Sequence, residues 1–354
     1  MNSKAITSFL KRPAGIVLLI FSLILVLVLT NQGCTSPTAY DSNEKASYVG
    51  SVTCQSCHKK ESALYKTSDH FHAMDSALPI SVKGDFNNSF FVYYGDSNFF
   101  YQRDHKYYVR TKDSGGIKKE FEVSYTFGWR PLQQYLVKFD DGRIQALPFC
   151  WDTRPKEQGG QRWFHIYGKE KILQDDELYW TGINQNWNYM CADCHTTNYK
   201  KNFDAANNRF HSSWSERTVS CESCHGPASL HLKWADKKEN DPNKGFNISL
   251  ASKAMEWTAN NSRGTKLPKK IIQNDTLIET CARCHARASR FTDDYVHGAS
   301  FLQSHLAANI GNNYFIDGQI KDEDYEYGSF LQSKMYSRGV TCNNCHDAHS
   351  LQLK

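Results

Sequence analysis

Cys221-Glu-Ser-Cys224-His225-Gly-Pro-Ala-Ser-Leu-His231 sets two thiols two residues apart, an imidazole directly after the second, and another imidazole six residues on. The same Cys-x-x-Cys-His spacing recurs at Cys54, Cys57 and His58, at Cys191, Cys194 and His195, at Cys281, Cys284 and His285, and at Cys342, Cys345 and His346. Two thiols so spaced bond the vinyl groups of one haem as thioethers, and the adjacent imidazole becomes the proximal iron ligand. The two intervening residues let one turn of chain span the porphyrin edge, so the next side chain lies under the iron. Zinc is the alternative for any single Cys-x-x-Cys. Zinc needs such half-sites in pairs, however, and it has no use for a histidine after each of five. The pattern therefore reads as five haem c groups.

The body lies outside the cytoplasm, where c-type haem is attached. Lys4, Lys11 and Arg12 precede the uncharged apolar run from Ile16 to Leu29, as in an export signal. Gly33-Cys34 then resembles a bacterial lipoprotein cleavage site, with Cys34 as the lipid attachment candidate, although Asn31 stands where that pattern prefers Leu. An uncleaved anchor and a soluble periplasmic form stay open beside the lipoprotein, since the run nearly spans a bilayer. The expected layout is a signal or anchor segment at 1–33, a polar tether at 34–48 and a pentahaem domain at 49–354. The formal charge of +5 does not point to nucleic acid. Removing Lys4, Lys11 and Arg12 leaves +2, and the propionates of five haems turn that balance negative.

Residues 86–150 carry no haem motif. Ser89 to Tyr94, Asn98 to Tyr101, Lys106 to Arg110, Glu120 to Tyr125 and Gln134 to Phe139 are rich in β-branched and aromatic residues. Asp104-His105 and Asp141-Gly142 mark hairpin turns. This stretch reads as a small antiparallel β segment inserted between the first and second haem motifs. Lys59 to Met74 reads as a helix, and the linkers among the later motifs as helical or irregular. The expected fold class is thus a mainly α multihaem cytochrome with irregular loops.

Nine histidines remain beyond the proximal five. Met74, Met190, Met255 and Met335 are the available thioethers, so bis-His ligation is the simplest assignment. His231 and His349 each follow a motif too closely to reach round their own porphyrin, so each should serve a neighbouring haem. His70, His165 and His297 sit in apolar or aromatic settings that suit either a core histidine or a distal ligand. His211 and His305 are reserves, His105 a turn residue and His72 a neighbour of His70. Cys150, in Leu-Pro-Phe-Cys150-Trp, reads as a buried inert thiol.

Tyr48 to His58, Ser68 to Met74 and Cys221 to His231 resemble the multihaem family typified by the nitrifiers' tetrahaem cytochrome that takes electrons from hydroxylamine oxidoreductase. Over nearly the whole mature chain there is a closer likeness to the haem module that precedes tetratricopeptide repeats in large bacterial multihaem proteins. It includes Tyr125 to Gly128, Pro131 to Val137, Asp152 to His165, Gln185 to Cys191 and Gly328 to Met335. The resemblance implies bis-His haems, with His70, His165, His231, His297 and His349 as distal ligands. It also implies electron transfer outside the cytoplasm. The resembling proteins continue beyond Cys-His-Asp-x-His-Ser with a further motif and repeats. This chain stops at Lys354 and reads as either a compact or a truncated member.

Two functions follow. One is an electron carrier on the periplasmic or cell-surface side of a bacterial membrane. Its partners would be other redox proteins or membrane donors and acceptors. The other is an oxidoreductase with one open haem acting on nitrite, hydroxylamine or tetrathionate. The carrier is preferred, because five distal candidates match five haems.

Overall fold

The computed structural model describes residues 45–238, 240–250, 256–260, 265–309, 311–321 and 325–354. The expected signal segment, most of the tether and Cys34 lie outside them. The described strands are β1 (Met74–Ser76), β2 (Ser89–Tyr93), β3 (Asp96–Arg103), β4 (Lys106–Lys112), β5 (Lys118–Phe127), β6 (Leu132–Lys138), β7 (Ile144–Ala146), β8 (Phe149–Asp152) and β9 (Arg162–His165). They form one antiparallel sheet of nine strands in the order β2-β3-β4-β5-β6-β8-β9, with β1 against β5 and β7 against β6. The sheet curls until β2 meets β9, giving a nearly closed barrel.

The mainly α expectation is therefore overturned. Strand dominates, and the sheet runs from Met74 to His165 rather than only from 86 to 150. The physical reason is length. A Cys-x-x-Cys-His motif needs only one helical turn, so most motif helices are four or five residues long. Linkers expected to be helical or irregular instead close hairpins at Phe203–Asp204 with Arg209–Phe210 and at Ala288–Arg290 with His305–Ala307.

The barrel forms where alternation is cleanest. Phe100 of β3, Tyr107 and Val109 of β4, Val123 of β5 and Tyr135 and Val137 of β6 point inward. There they meet Phe86, Trp151, Trp163 and Trp180. Phe100 stacks on Trp163 at 3.8 Å, and Phe86 meets both rings edge-on. Aromatic pairs of this kind add about 0.5–1.5 kcal/mol each beyond the area they bury. Gln133 has no exposure, yet its amide is satisfied. Its oxygen accepts from Lys83 N at 2.8 Å and Tyr135 Oη at 2.9 Å, and its nitrogen donates to Ser81 O at 3.0 Å.

β6 is buried on both faces from Gln133 to Val137. One face belongs to the barrel interior. The other presents Leu136, with Ile144 and Ala146 of β7, to Trp187, Ala192 and Tyr199. The barrel wall is thus the seat of the second haem motif.

The described α-helices are α1 (Ser51–Gln55), α2 (Lys59–Tyr65), α3 (Trp187–Met190), α4 (Ala192–His195), α5 (Cys221–His225), α6 (Ser229–Lys237), α7 (Asp275–His285), α8 (Tyr327–Leu331), α9 (Lys334–Ser337) and α10 (Cys342–Cys345), and the haem motifs lie on α1, α4, α5, α7 and α10. α2 stops at Tyr65, short of the expected Met74. The Thr67 and Ser68 hydroxyls fold back onto Leu64 O and Tyr65 O at 2.7 and 2.6 Å and turn the chain. Protein side chains supply little core beside α7: a cluster of Ala282, Ala286 and Phe301.

Candidate haem sites

Each motif is a turn of helix whose sulfurs meet those of another motif. The thiols of Cys54 and Cys221 lie side by side, as do those of Cys194 and Cys284, and of Cys281 and Cys342. Motif 1 therefore abuts motif 3, motif 2 abuts motif 4, and motif 4 also abuts motif 5. α1 packs on α5, and α7 packs on both α4 and α10.

Three proximal histidines have a second imidazole nearby. The ring centroids of His58 and His231 are 6.1 Å apart, those of His70 and His285 6.3 Å, and those of His225 and His349 6.5 Å. A ligating nitrogen sits about 2 Å from its metal. With the ring centre roughly 1 Å farther out, two imidazoles on opposite sides of one iron have centroids about 6 Å apart. The residues fit haem. The spacing is that of axial pairs, and two cysteines flank each proximal ring. The Nδ1 of His231 lies 2.8 Å from Lys244 O, a contact that orients the ring and would leave Nε2 available to a metal. Burial pushes His225 down to about 4, and His349, His58 and His231 add like-charge repulsion. That keeps it neutral, the form that binds metal.

The other candidates lie elsewhere. His165 is buried in β9, stacked on Tyr93 at 3.8 Å, and burial pushes it down to about 4. His297 lies against Gly226, and its Nε2 is 3.1 Å from Ser223 O. Gly226 has φ +85 and would set a Cβ 3.1 Å from that ring, so motif 3 needs glycine directly after its histidine. His305 is buried, with its Nδ1 2.8 Å from Ser304 Oγ and its Nε2 3.5 Å from Asp193. His72 stacks on Trp129, and His105 sits in the β3–β4 turn. His195 has the Phe127 ring 4.5 Å away. His346 is exposed, and no second histidine ring touches it among the described residues. Cys150 is fully buried, and burial pushes its thiol well above the ordinary value, as an inert thiol requires.

The sequence reading missed the residues between the paired cysteines and treated them as spacers. Glu222 of motif 3 accepts backbone N–H bonds from Val49 and Gly50, just before motif 1. Arg283 of motif 4 donates to Ser223 O of motif 3 at 3.0 Å. Asp193 of motif 2 is ion-paired with Arg290, which follows motif 4. Burial pushes the Asp193 carboxyl up, but His305, Arg290 and Arg283 more than offset this and hold it below the usual range. Charged residues inside a haem motif were the available signal, since such positions have no role in thioether chemistry.

A family model described as cytochrome c554 and c-prime matches residues 53–88 and 157–226, which hold the first three motifs. The crystal structure of the outer cell wall cytochrome OcwA is similar in fold, with a TM-score of 0.51 and 17% identity over 86% of this chain. The findings support a multihaem c-type cytochrome. A cytochrome of that kind carries covalently bound haem c. The match spans 57% of OcwA, less than two thirds of that neighbour's length. No curated protein matches the chain. Among the described residues no helix is long and apolar enough to cross a membrane.

Proposed function

We propose that the chain is an extracytoplasmic electron carrier with five covalently attached haems. Three of them are bis-His: His58 with His231, His225 with His349, and His285 with His70. The observation that carries this reading is the iron-spanning separation of those three imidazole pairs. The haems would supply one-electron chemistry. The protein's part is to fix axial ligands from one motif beside the next: His231 follows motif 3 and serves motif 1, His349 follows motif 5 and serves motif 3, and His70 follows motif 1 and serves motif 4. Capped irons are suited to electron transfer and offer no position for substrate. Partners are other redox proteins or membrane donors and acceptors. No partner enzyme is carried over from the nitrifier family.

Electron paramagnetic resonance of the oxidised protein, with haem counted on the same sample, tests this. The expected result is five haems per chain, at least three of them low-spin. Fewer than five haems, or a mostly high-spin sample, would reject it. The second reading, an oxidoreductase of a small nitrogen or sulfur compound, has one observation in its favour. His346 is exposed and touches no other imidazole among the described residues, so motif 5 is where an open iron would lie. A high-spin signal altered by added nitrite or hydroxylamine, together with turnover of that compound that is lost in His346→Ala, would establish it.

Attachment to the membrane through Cys34, or through the apolar segment before it, belongs to the same proposal. Cys34→Ser should move the protein from the membrane to the soluble fraction of lysed cells. Unchanged retention would assign anchoring to residues 16–29 instead.

A further inference from the structure

The fourth motif touches three others, and one side chain lies where three of them converge. Arg283 sits between Cys281 and Cys284. Its Nη1 donates to Ser223 O of motif 3 at 3.0 Å, and its own carbonyl oxygen is 3.8 Å from Cys194 Sγ of motif 2. The guanidinium lies over the Tyr295 ring at 3.8 Å, which holds its plane in place. Asp193 contributes the nearby negative charge, but that carboxylate is already bonded to Arg290. The Nε–H of Arg283 is buried and reaches no protein acceptor among the described residues. A brace with only a structural role would have its donors satisfied, because a buried unpaired N–H is costly.

We propose that Arg283 is the positioning residue of a three-way haem junction. It fixes motifs 2, 3 and 4 at constant spacing, places a cation where their haems converge, and keeps one donor for a haem propionate. This rests on the pentahaem reading. The sign follows from charge alone. A ferric porphyrin core carries one more positive charge than a ferrous one, so a nearby cation favours the reduced form and raises the potential. Pairing the guanidinium with a propionate acts in the same direction.

The test is a spectroscopic redox titration of the full chain as wild type, Arg283→Lys and Arg283→Met, with haem counted in each. With five haems retained, Arg283→Met should lower the midpoint potentials of two or three haems and leave the spin states unchanged. Arg283→Lys, which keeps the charge, should lie closer to wild type. Potentials in Arg283→Met that match wild type, or Lys and Met variants that shift equally, would overturn the proposal. Should Arg283→Met fail to accumulate, Arg283→Gln removes the charge with a smaller change in polarity and is read in the same way. Fewer than five haems in the wild type would strike at the pentahaem reading instead.

Discussion

On the proposed bis-His reading, replacing His231 with alanine should convert one haem from low spin to high spin and leave every haem attached. The thioether bonds belong to the cysteines, so loss of a distal imidazole opens an axial position without releasing the porphyrin. His231 is carried by α6, directly after motif 3, but its ring centroid lies 6.1 Å from that of His58 in motif 1. The site is set for one ring orientation. Lys244 O is 2.8 Å from Nδ1, and the Phe246 and Trp234 rings stack on the imidazole with centroids 4.4 and 5.6 Å away. A ring held this firmly lowers the entropic cost of ligation, and its removal leaves a pocket shaped for imidazole. Free imidazole should therefore restore the low-spin spectrum. His297→Ala is the informative comparison, since its Nε2 is held by Ser223 O rather than set opposite a proximal ring. A high-spin signal from His297→Ala, with none from His231→Ala, would reassign the ligand of the first haem.

The sequence exposed those parts of the molecule whose signals are local. The five motifs were legible because their spacing is itself the chemistry. β2 to β6 were legible because aromatic and β-branched residues are concentrated there between turn signals. The Asp104-His105 turn was legible because both residues tolerate the left-handed backbone they adopt, with φ 51 and 60. β8 was missed because Phe149–Asp152 is buried at all four positions, so no alternation marks it as a strand. β1 is three residues long, too short to carry a period. The mainly α reading failed because it assumed that haem motifs imply helices, whereas each motif needs only a turn.

The proposed axial pairs were half legible. That His231 and His349 should serve other haems was an expectation from their distance along the chain. The proximal rings they approach, His58 and His225, were not legible, because packing brings together motifs far apart in sequence. His165, carried over by position from the resembling module, lies in the structure with its ring stacked on Tyr93.

Glu222→Ala should give the largest loss of stability of any single change at the interface between the first and third motifs. Glu222 is only 1% exposed, and no Lys or Arg pairs with it among the described residues. Backbone donors hold it instead. Oε1 accepts from Val49 N at 3.0 Å and Ala228 N at 2.9 Å, and Oε2 accepts from Gly50 N at 2.9 Å. One carboxylate thus gathers the chain entering motif 1, the turn that carries motif 3 and the start of the helix that supplies His231. Alanine would leave three N–H groups without acceptors, and at about 1–3 kcal/mol for each unsatisfied buried donor the loss is about 3–5 kcal/mol once water reaches the half-exposed Val49 segment. For a chain of this size that corresponds to a fall in Tm of roughly 5–8 °C. Glu222→Gln keeps an acceptor oxygen and should lose about half as much. Because the thioethers hold haem covalently, the haem count should stay at five while Tm falls, which separates a loosened interface from failed haem attachment. Calorimetry on the two variants decides the matter. A Tm for Glu222→Ala within about 1 °C of wild type would mean that the bracket does not hold the first motif to the third. The contacts of Ser51 N with Glu216 Oε2 at 3.1 Å and of Ser47 N with Ser229 Oγ at 2.8 Å would then carry that interface together with the packing of α1 on α5.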